Sequence, residues 1–133
     1  MKLINRDTDY AIRALVYMAK SPQKVSSAKA LVEDLHIPRA FSRRLLQVLS
    51  KNSILQSTKG KGGGFRFLKS PAKIKLTDLI EIFQPDFKEI RCIFKRKICP
   101  DTATCPLRHK IRGIEKNVIS ELAAVSIADL VKG

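Results

Sequence analysis

Apolar side chains recur at three- and four-residue spacing from the start of the chain. Tyr10, Ala14, Leu15 and Met18 share one face and predict a first helix, with Thr8 or Asp7 as its N-cap and Ser21-Pro22 as its stop. Ser26 and Ser27 offer caps for a second helix that turns Leu31, Val32 and Leu35 inward, and His36-Ile37-Pro38 ends it. Pro38 has no N–H to lose and suits the first turn of a third helix. Its buried stripe is predicted at Phe41, Leu45, Leu46 and Leu49. Two short helices across a tight turn predict a helix-turn-helix.

The period then changes. Ile54-Leu55-Gln56-Ser57-Thr58 reads as a strand and Phe65-Arg66-Phe67-Leu68 as its return, joined by Lys59-Gly60-Lys61-Gly62-Gly63-Gly64. The glycines permit positive φ and close backbone approach, which predicts a hairpin wing. Leu76–Phe83 reads as a helix with Thr77 as its N-cap and Gln84-Pro85 as its end. A cysteine segment follows, from about Asp86 to Pro106. Beyond it Leu107, Ile111, Ile114, Val118 and Leu122 mark one long helix whose apolar stripe needs a partner. The same helix of a second subunit is the expected partner, with packing on its own domain as the alternative. Ser126-Ile127-Ala128-Asp129-Leu130-Val131 predicts a last helical turn. The fold class is mainly α with a small β-hairpin wing, divided into a winged helix-turn-helix over 1–84, a cysteine loop over 85–106, and a dimerisation helix and tail over 107–133.

Charge adds a function to this pattern. The chain carries 26 Lys and Arg against 12 Asp and Glu, a formal net charge of +14. Between Leu35 and Thr77 there are ten basic side chains and no acid. A one-signed field of this kind attracts a polyanion, because neutralising phosphates releases condensed counterions. On the third helix Arg39, Ser42, Arg43 and Gln47 are expected to point away from the apolar stripe, with Arg44 at its margin. These residue types make both phosphate and base contacts in a major groove. Lys59, Gly60, Lys61 and Gly62 at the hairpin tip are expected to rest on a phosphate backbone or in a minor groove. A nucleotide phosphate loop is disfavoured, since no Lys-Ser or Lys-Thr follows the glycines. The remaining alternative is a solvated basic surface. The N-terminus turns polar at once, without a secretory apolar core, and no apolar run reaches the length of a membrane span, so a cytoplasmic protein without a membrane partner is expected. No nucleophile-base pair or substrate-pocket motif points to an enzyme.

The three cysteines, Cys92, Cys99 and Cys105, fall within fourteen residues. Six and five residues separate them, wider than the two to four typical of structural zinc knuckles, so the spacing suits a larger centre such as an iron-sulfur cluster. The surrounding Lys88, Arg91, Lys95, Arg96, Lys97, Arg108, Lys110 and Arg112 favour the thiolate, the form that binds iron and also the form that reacts. Reduced, ligand-free thiols or a thiol redox switch remain as alternatives. A four-ligand centre lacks one protein ligand. His109 is the local candidate, one helical turn after Cys105, while Asp9, Asp101 and Glu89 are carboxylates that can substitute, and a dimer can supply one from the other subunit.

Taken together, Thr8-Asp9-Tyr10-Ala11-Ile12-Arg13, Phe41 through Leu49, Gly60-Lys61-Gly62-Gly63-Gly64-Phe65, Ile74-Lys75-Leu76-Thr77-Asp78-Leu79-Ile80, the three cysteines and Ser126-Ile127-Ala128-Asp129-Leu130 resemble the Rrf-two family of bacterial winged-helix regulators, of the IscR, NsrR and RirA type. The resemblance covers nearly the whole chain. It implies a homodimer that binds promoter DNA through the third helix and the wing, and a two-iron or four-iron cluster held by Cys92, Cys99 and Cys105 plus one variable ligand. In some members an aspartate of the partner's Thr-Asp-Tyr motif supplies that ligand, and Asp9 matches it. In others a histidine three residues after the last cysteine does so, a position from which His109 is displaced by one; the resemblance therefore favours Asp9. Ser53 stands where many members have glycine, and Lys59 replaces a common arginine, keeping charge but losing the bidentate fork. The expectation is a cluster-dependent transcriptional regulator, a repressor, that senses nitric oxide, redox or iron status. Its rivals are a cluster-free regulator using thiol oxidation or a small metabolite, and an electron-transfer iron-sulfur protein.

Overall fold

Asn5 caps the first helix, α1 (Arg6–Lys20), by accepting the Thr8 N–H on its side-chain oxygen at 2.8 Å. Thr8 and Asp7, expected at the cap, lie inside the first turn instead, and Thr8 is fully buried. The computed structural model describes residues 3–21, 25–60, 63–85 and 105–132. Ser27 caps α2 (Ala28–Leu35) through the Ala30 N–H. His36 then takes a left-handed conformation, φ +58°, and turns the chain so that Ile37 is buried and Pro38, at φ −53°, leads into α3 (Arg39–Lys51). The Tyr17 hydroxyl donates to Asp34 and ties α1 to α2; that bond to the carboxylate holds the Tyr17 phenol proton on and raises its pKa.

β1 (Leu55–Thr58) and β2 (Gly64–Phe67) pair antiparallel, with Leu55 opposite Phe67 and Thr58 opposite Gly64. The hairpin is anchored at both ends. At its base the Leu68 N–H donates to Ile54 O at 3.0 Å. On its outer edge Ser26, just before α2, exchanges two backbone hydrogen bonds with Phe65, at 2.8 and 2.7 Å. Gly64 permits that approach: a Cβ there would stand 2.6 Å from the Ser26 carbonyl oxygen.

Ser53, between α3 and β1, has φ +62°. A residue with a Cβ is disfavoured there and glycine is not. We expect Ser53→Gly to raise stability by about 0.5–1 kcal/mol, the relief of strain exceeding the extra chain entropy glycine loses on folding. Urea unfolding measures this, and a lower midpoint for the variant would contradict the strain argument.

After the 3-10 turn Pro71–Lys73, α4 (Leu76–Phe83) begins two residues earlier than Thr77 as N-cap allows: Lys75 is the N-cap, and its N–H donates to Asp78 Oδ2 at 2.9 Å. Thr77 is within the helix. The end of α4 is strapped to the start of α1, with the Asn5 N–H donating to Gln84 Oε1 at 2.8 Å and the Asn5 side-chain amide to Phe83 O at 3.2 Å.

α5 (Pro106–Ala124) packs against α4 yet buries none of its residues, and Leu107, Ile111 and Ile114 are 69%, 39% and 53% exposed. The tail then returns to the body as α6 (Ile127–Lys132). Leu76 N–H donates to Val125 O and Ile127 N–H to Ile74 O, at 3.0 and 2.9 Å, clipping the tail across the entry to α4. Ser126 and Asp129 form a reciprocal capping box: the Ser126 N–H reaches Asp129 Oδ2 at 2.9 Å and the Ser126 hydroxyl accepts the Asp129 N–H at 3.2 Å. The Ser126 N–H, and then its hydroxyl, hold the Asp129 carboxyl below its ordinary pKa. Ile127 enters the same core as Leu15, Leu31, Leu45, Leu46, Leu49, Leu55, Ile74 and Leu79. The last helix is therefore part of the helix-turn-helix body in packing, although it follows the long helix in sequence.

Candidate nucleic-acid interface and cysteine segment

α3 divides cleanly into two sides. Ser42, Leu45, Leu46 and Leu49 are buried, whereas Arg39, Ala40, Arg43, Arg44, Gln47 and Lys51 are exposed. Arg39, Arg43, Arg44 and Gln47 are thus placed outward as expected. Ser42 is not: it is fully buried, and its hydroxyl donates to Ile37 O at 3.3 Å, closing the turn between α2 and α3. The sequence carried the signal for this, since Ser42 sits three, four and seven residues before Leu45, Leu46 and Leu49 and is in phase with the apolar stripe. Phe41, expected within that stripe, is half-buried at its edge. Ala40 was missed as an outward position because it is not polar. Its small methyl leaves the first turn of α3 open to a close approach, and such a methyl makes apolar contact with thymine.

The wing follows directly from the C-terminus of α3, where Ile54 N–H donates to Leu49 O at 3.1 Å. Lys59 and Gly60 are exposed at the start of the hairpin loop, and Gly60 has φ +98°, a value its missing side chain allows. Lys61 and Gly62 lie outside the described residues. Arg66, on the exposed side of β2, donates from Nε and Nη2 to Gln56 Oε1 at 3.1 and 2.9 Å and is held against the hairpin. Alternation along β2 between half-buried Phe65 and Phe67 was the signal that would have marked Arg66 as a surface residue of the wing.

Of the candidate metal ligands, Cys92 and Cys99 lie outside the described residues, as do Asp101 and Glu89. Cys105 is a half-buried free thiol at the N-cap of α5, followed by Pro106. His109 is exposed one turn on, its N–H bonded to Cys105 O at 3.2 Å as part of the helix. Asp9 stands on the first turn of α1 and pairs with Arg13 Nε at 2.9 Å; both side chains are substantially exposed. The strap from Asn5 to Gln84 sets this turn beside the point where the chain enters the cysteine segment. Among the described residues of one chain, no three His, Cys, Asp or Glu side chains converge on a metal-sized site. No helix among them is long and apolar enough to cross a membrane.

Residues 4–133 match the model of a family described as Rrf2: Iron-dependent Transcriptional regulator. A protein of Aquifex aeolicus described as an HTH-type transcriptional regulator is 30% identical over 124 residues, covering 92% of this chain and 86% of its own length. Among solved structures, the CymR global cysteine regulator of B. subtilis superposes with a TM-score of 0.82 at 18% identity, covering 99% of this chain and 98% of that one. IscR of T. potens superposes with a TM-score of 0.77 at 20% identity, covering 99% and 87%. At these identities the structural likeness is one of fold.

Proposed function

This chain belongs to the Rrf2 family of transcriptional regulators, and from that membership we propose that it is a homodimeric, iron-sulfur cluster-dependent repressor that reads duplex promoter DNA with α3 and its wing. The observation that carries the DNA-binding part is the row Arg39, Arg43, Arg44 and Gln47 exposed on α3, inside a stretch of sequence with no acid, beside a hairpin whose tip begins Lys59-Gly60. Arginines on such a helix face contribute bidentate contacts to guanine and charge-assisted contacts to phosphate. The exposed stripe Leu107, Ile111 and Ile114 on α5 supports a dimer, because that much apolar surface along one helix is stable when a second copy covers it.

The cluster is a narrower step. Cys105 fits a ligand role: it is accessible, it precedes a basic first turn of α5, and three thiolates with one carboxylate or imidazole are a suitable donor set for iron and sulfide. Cys92, Cys99 and Cys105 would hold the cluster, with Asp9 of the partner subunit as fourth ligand ahead of His109. Asp9 pairs with Arg13 through Oδ2 at 2.9 Å, so ligation through that same oxygen would compete with the ion pair. When bound, the group supplies a centre that nitric oxide, oxidants or iron shortage can damage. This chain's own residues carry the change from α5 through α4 and the Asn5–Gln84 strap to α1 and the DNA-binding face.

Anaerobic purification with iron and sulfide counts, followed by operator binding with and without the cluster, tests the reading. The expected result is a brown protein whose two states differ in affinity about 5- to 150-fold, the usual size of a coupling between sites, and a Cys105→Ala variant that loses the colour. Equal affinities would remove the sensing claim and leave DNA binding intact. A colourless protein whose affinity changes on thiol oxidation would favour the cluster-free alternative.

A further inference from the structure

Arg6, on the first turn of α1, was not among the residues expected to touch DNA. Its guanidinium lies 6.0 Å from the centre of the Phe41 ring, and that of Arg44 lies 5.2 Å from the same ring. Tyr10, one turn after Arg6, packs edge-on against Phe41 with ring centres 5.2 Å apart and fixes the ring's position. Two cations from two different helices are therefore drawn to one aromatic shelf. Together with Tyr10, Pro38 and Ala40 they line an open recess of about 450 Å³ beside the first turns of α3.

Both guanidiniums border this recess beside the same ring, and each carries a planar array of hydrogen-bond donors. The arrangement is complementary to a small multivalent oxygen acceptor with negative charge. The neighbouring carboxylate Asp7 pairs loosely with Arg6, 3.8 Å from Nε, and also borders Phe41 and Arg44, yet the Arg6 side chain remains 72% exposed. Arg13 on the same helix is by contrast closely matched to Asp9.

Position identifies the anion. A helix with its side chains is about 10–12 Å across and a major groove about 12 Å wide, so α3 fills the groove it enters. Whatever stands one side-chain layer beside α3, level with its first turns, then faces the groove wall, which is phosphodiester backbone. Arg44 belongs to the exposed face of α3, and Arg6, exposed on α1, shares the Phe41 ring with it. We propose that Arg6 and Arg44, stacked on Phe41, form a phosphate-binding site that grips the DNA backbone beside α3, so that α1 extends the footprint beyond the recognition helix and the wing. This rests on the DNA-binding reading above. It adds a contact whose geometry the Phe41 shelf sets in advance, at lower entropic cost than a free surface lysine.

The test is the salt dependence of binding of the full-length protein to a short mixed-sequence duplex, which counts phosphate contacts without knowledge of the operator. For Arg6→Ala the slope of log affinity against log salt is expected to fall by about 0.9, one B-DNA phosphate, with affinity about five- to tenfold weaker near 0.1 M salt. Arg6→Lys, which keeps the charge, is expected to restore the slope. Because Arg6 is exposed, thermal unfolding of both variants should match the parent. A parent that binds the duplex and an Arg6→Ala variant with the same slope and affinity would overturn the proposal alone. Failure of the parent to bind any duplex would overturn the DNA-binding reading and this site with it.

Discussion

Replacing Ile127 by alanine, only a few residues from the C-terminal end, is expected to destabilise the helix-turn-helix body by about 2–4 kcal/mol. Ile127 is fully buried in the core cluster that residues of α1 and α3 also enter, on a helix that packs against α1 and the approach to α4, and truncating a buried isoleucine to alanine removes about three methylene-sized groups and leaves a cavity. For a domain of this size the loss corresponds to a fall in melting temperature of about 5–15 °C. Calorimetry on the variant measures it. The variant keeps the backbone clip in which the Ile127 N–H donates to Ile74 O, so the change isolates side-chain packing from the strand-like pairing. A melting temperature within about a degree of the parent would mean that α6 is not part of the core.

The largest expected effect on binding is the double substitution Arg39→Ala and Arg43→Ala. Both side chains are exposed on α3 and neither belongs to the hydrophobic core, so stability should stay within about 0.5 kcal/mol. Affinity for a specific operator should fall about a hundredfold or more if each guanidinium contributes a base or phosphate contact of about 1–3 kcal/mol. Comparison with a mixed-sequence duplex separates the roles. A loss confined to the operator marks base reading, whereas equal losses with a slope lower by about 2 mark phosphate contacts. Unchanged binding to both duplexes would show that this face of α3 does not meet DNA. The Arg6 variant differs in being expected to weaken both duplexes alike.

These two experiments also mark where sequence reasoning reached and where it stopped. Elements were legible because their periods are local: apolar positions three and four apart on α1, α3 and α5, and glycines bunched between two short apolar-rich strands, constrain the backbone over a few residues. Caps were less so. Thr8, Asp7 and Thr77 are good capping residue types, but Asn5 and Lys75 took the positions because contacts far along the chain hold the backbone there, Asn5 to Gln84 in one case and Leu76 to Val125 in the other. Ser42 was misplaced outward by its chemistry when its helical phase pointed inward, and burial was made affordable by the Ile37 carbonyl that accepts its hydroxyl.

By itself, then, the sequence determined a mainly helical body with a hairpin wing, a basic and acid-free stretch across the third helix and the wing, and three thiols gathered in one short segment, because composition and spacing along the chain suffice for each. Only the tertiary structure decided that the final helix returns to the first core, that Phe41 gathers Arg6 and Arg44 from separate helices, and that Asn5 straps the start of α1 to Gln84 at the end of α4. The reason is physical: each of these depends on how whole helices pack against one another, and the positions brought together lie up to about 120 residues apart, beyond the reach of any periodic pattern.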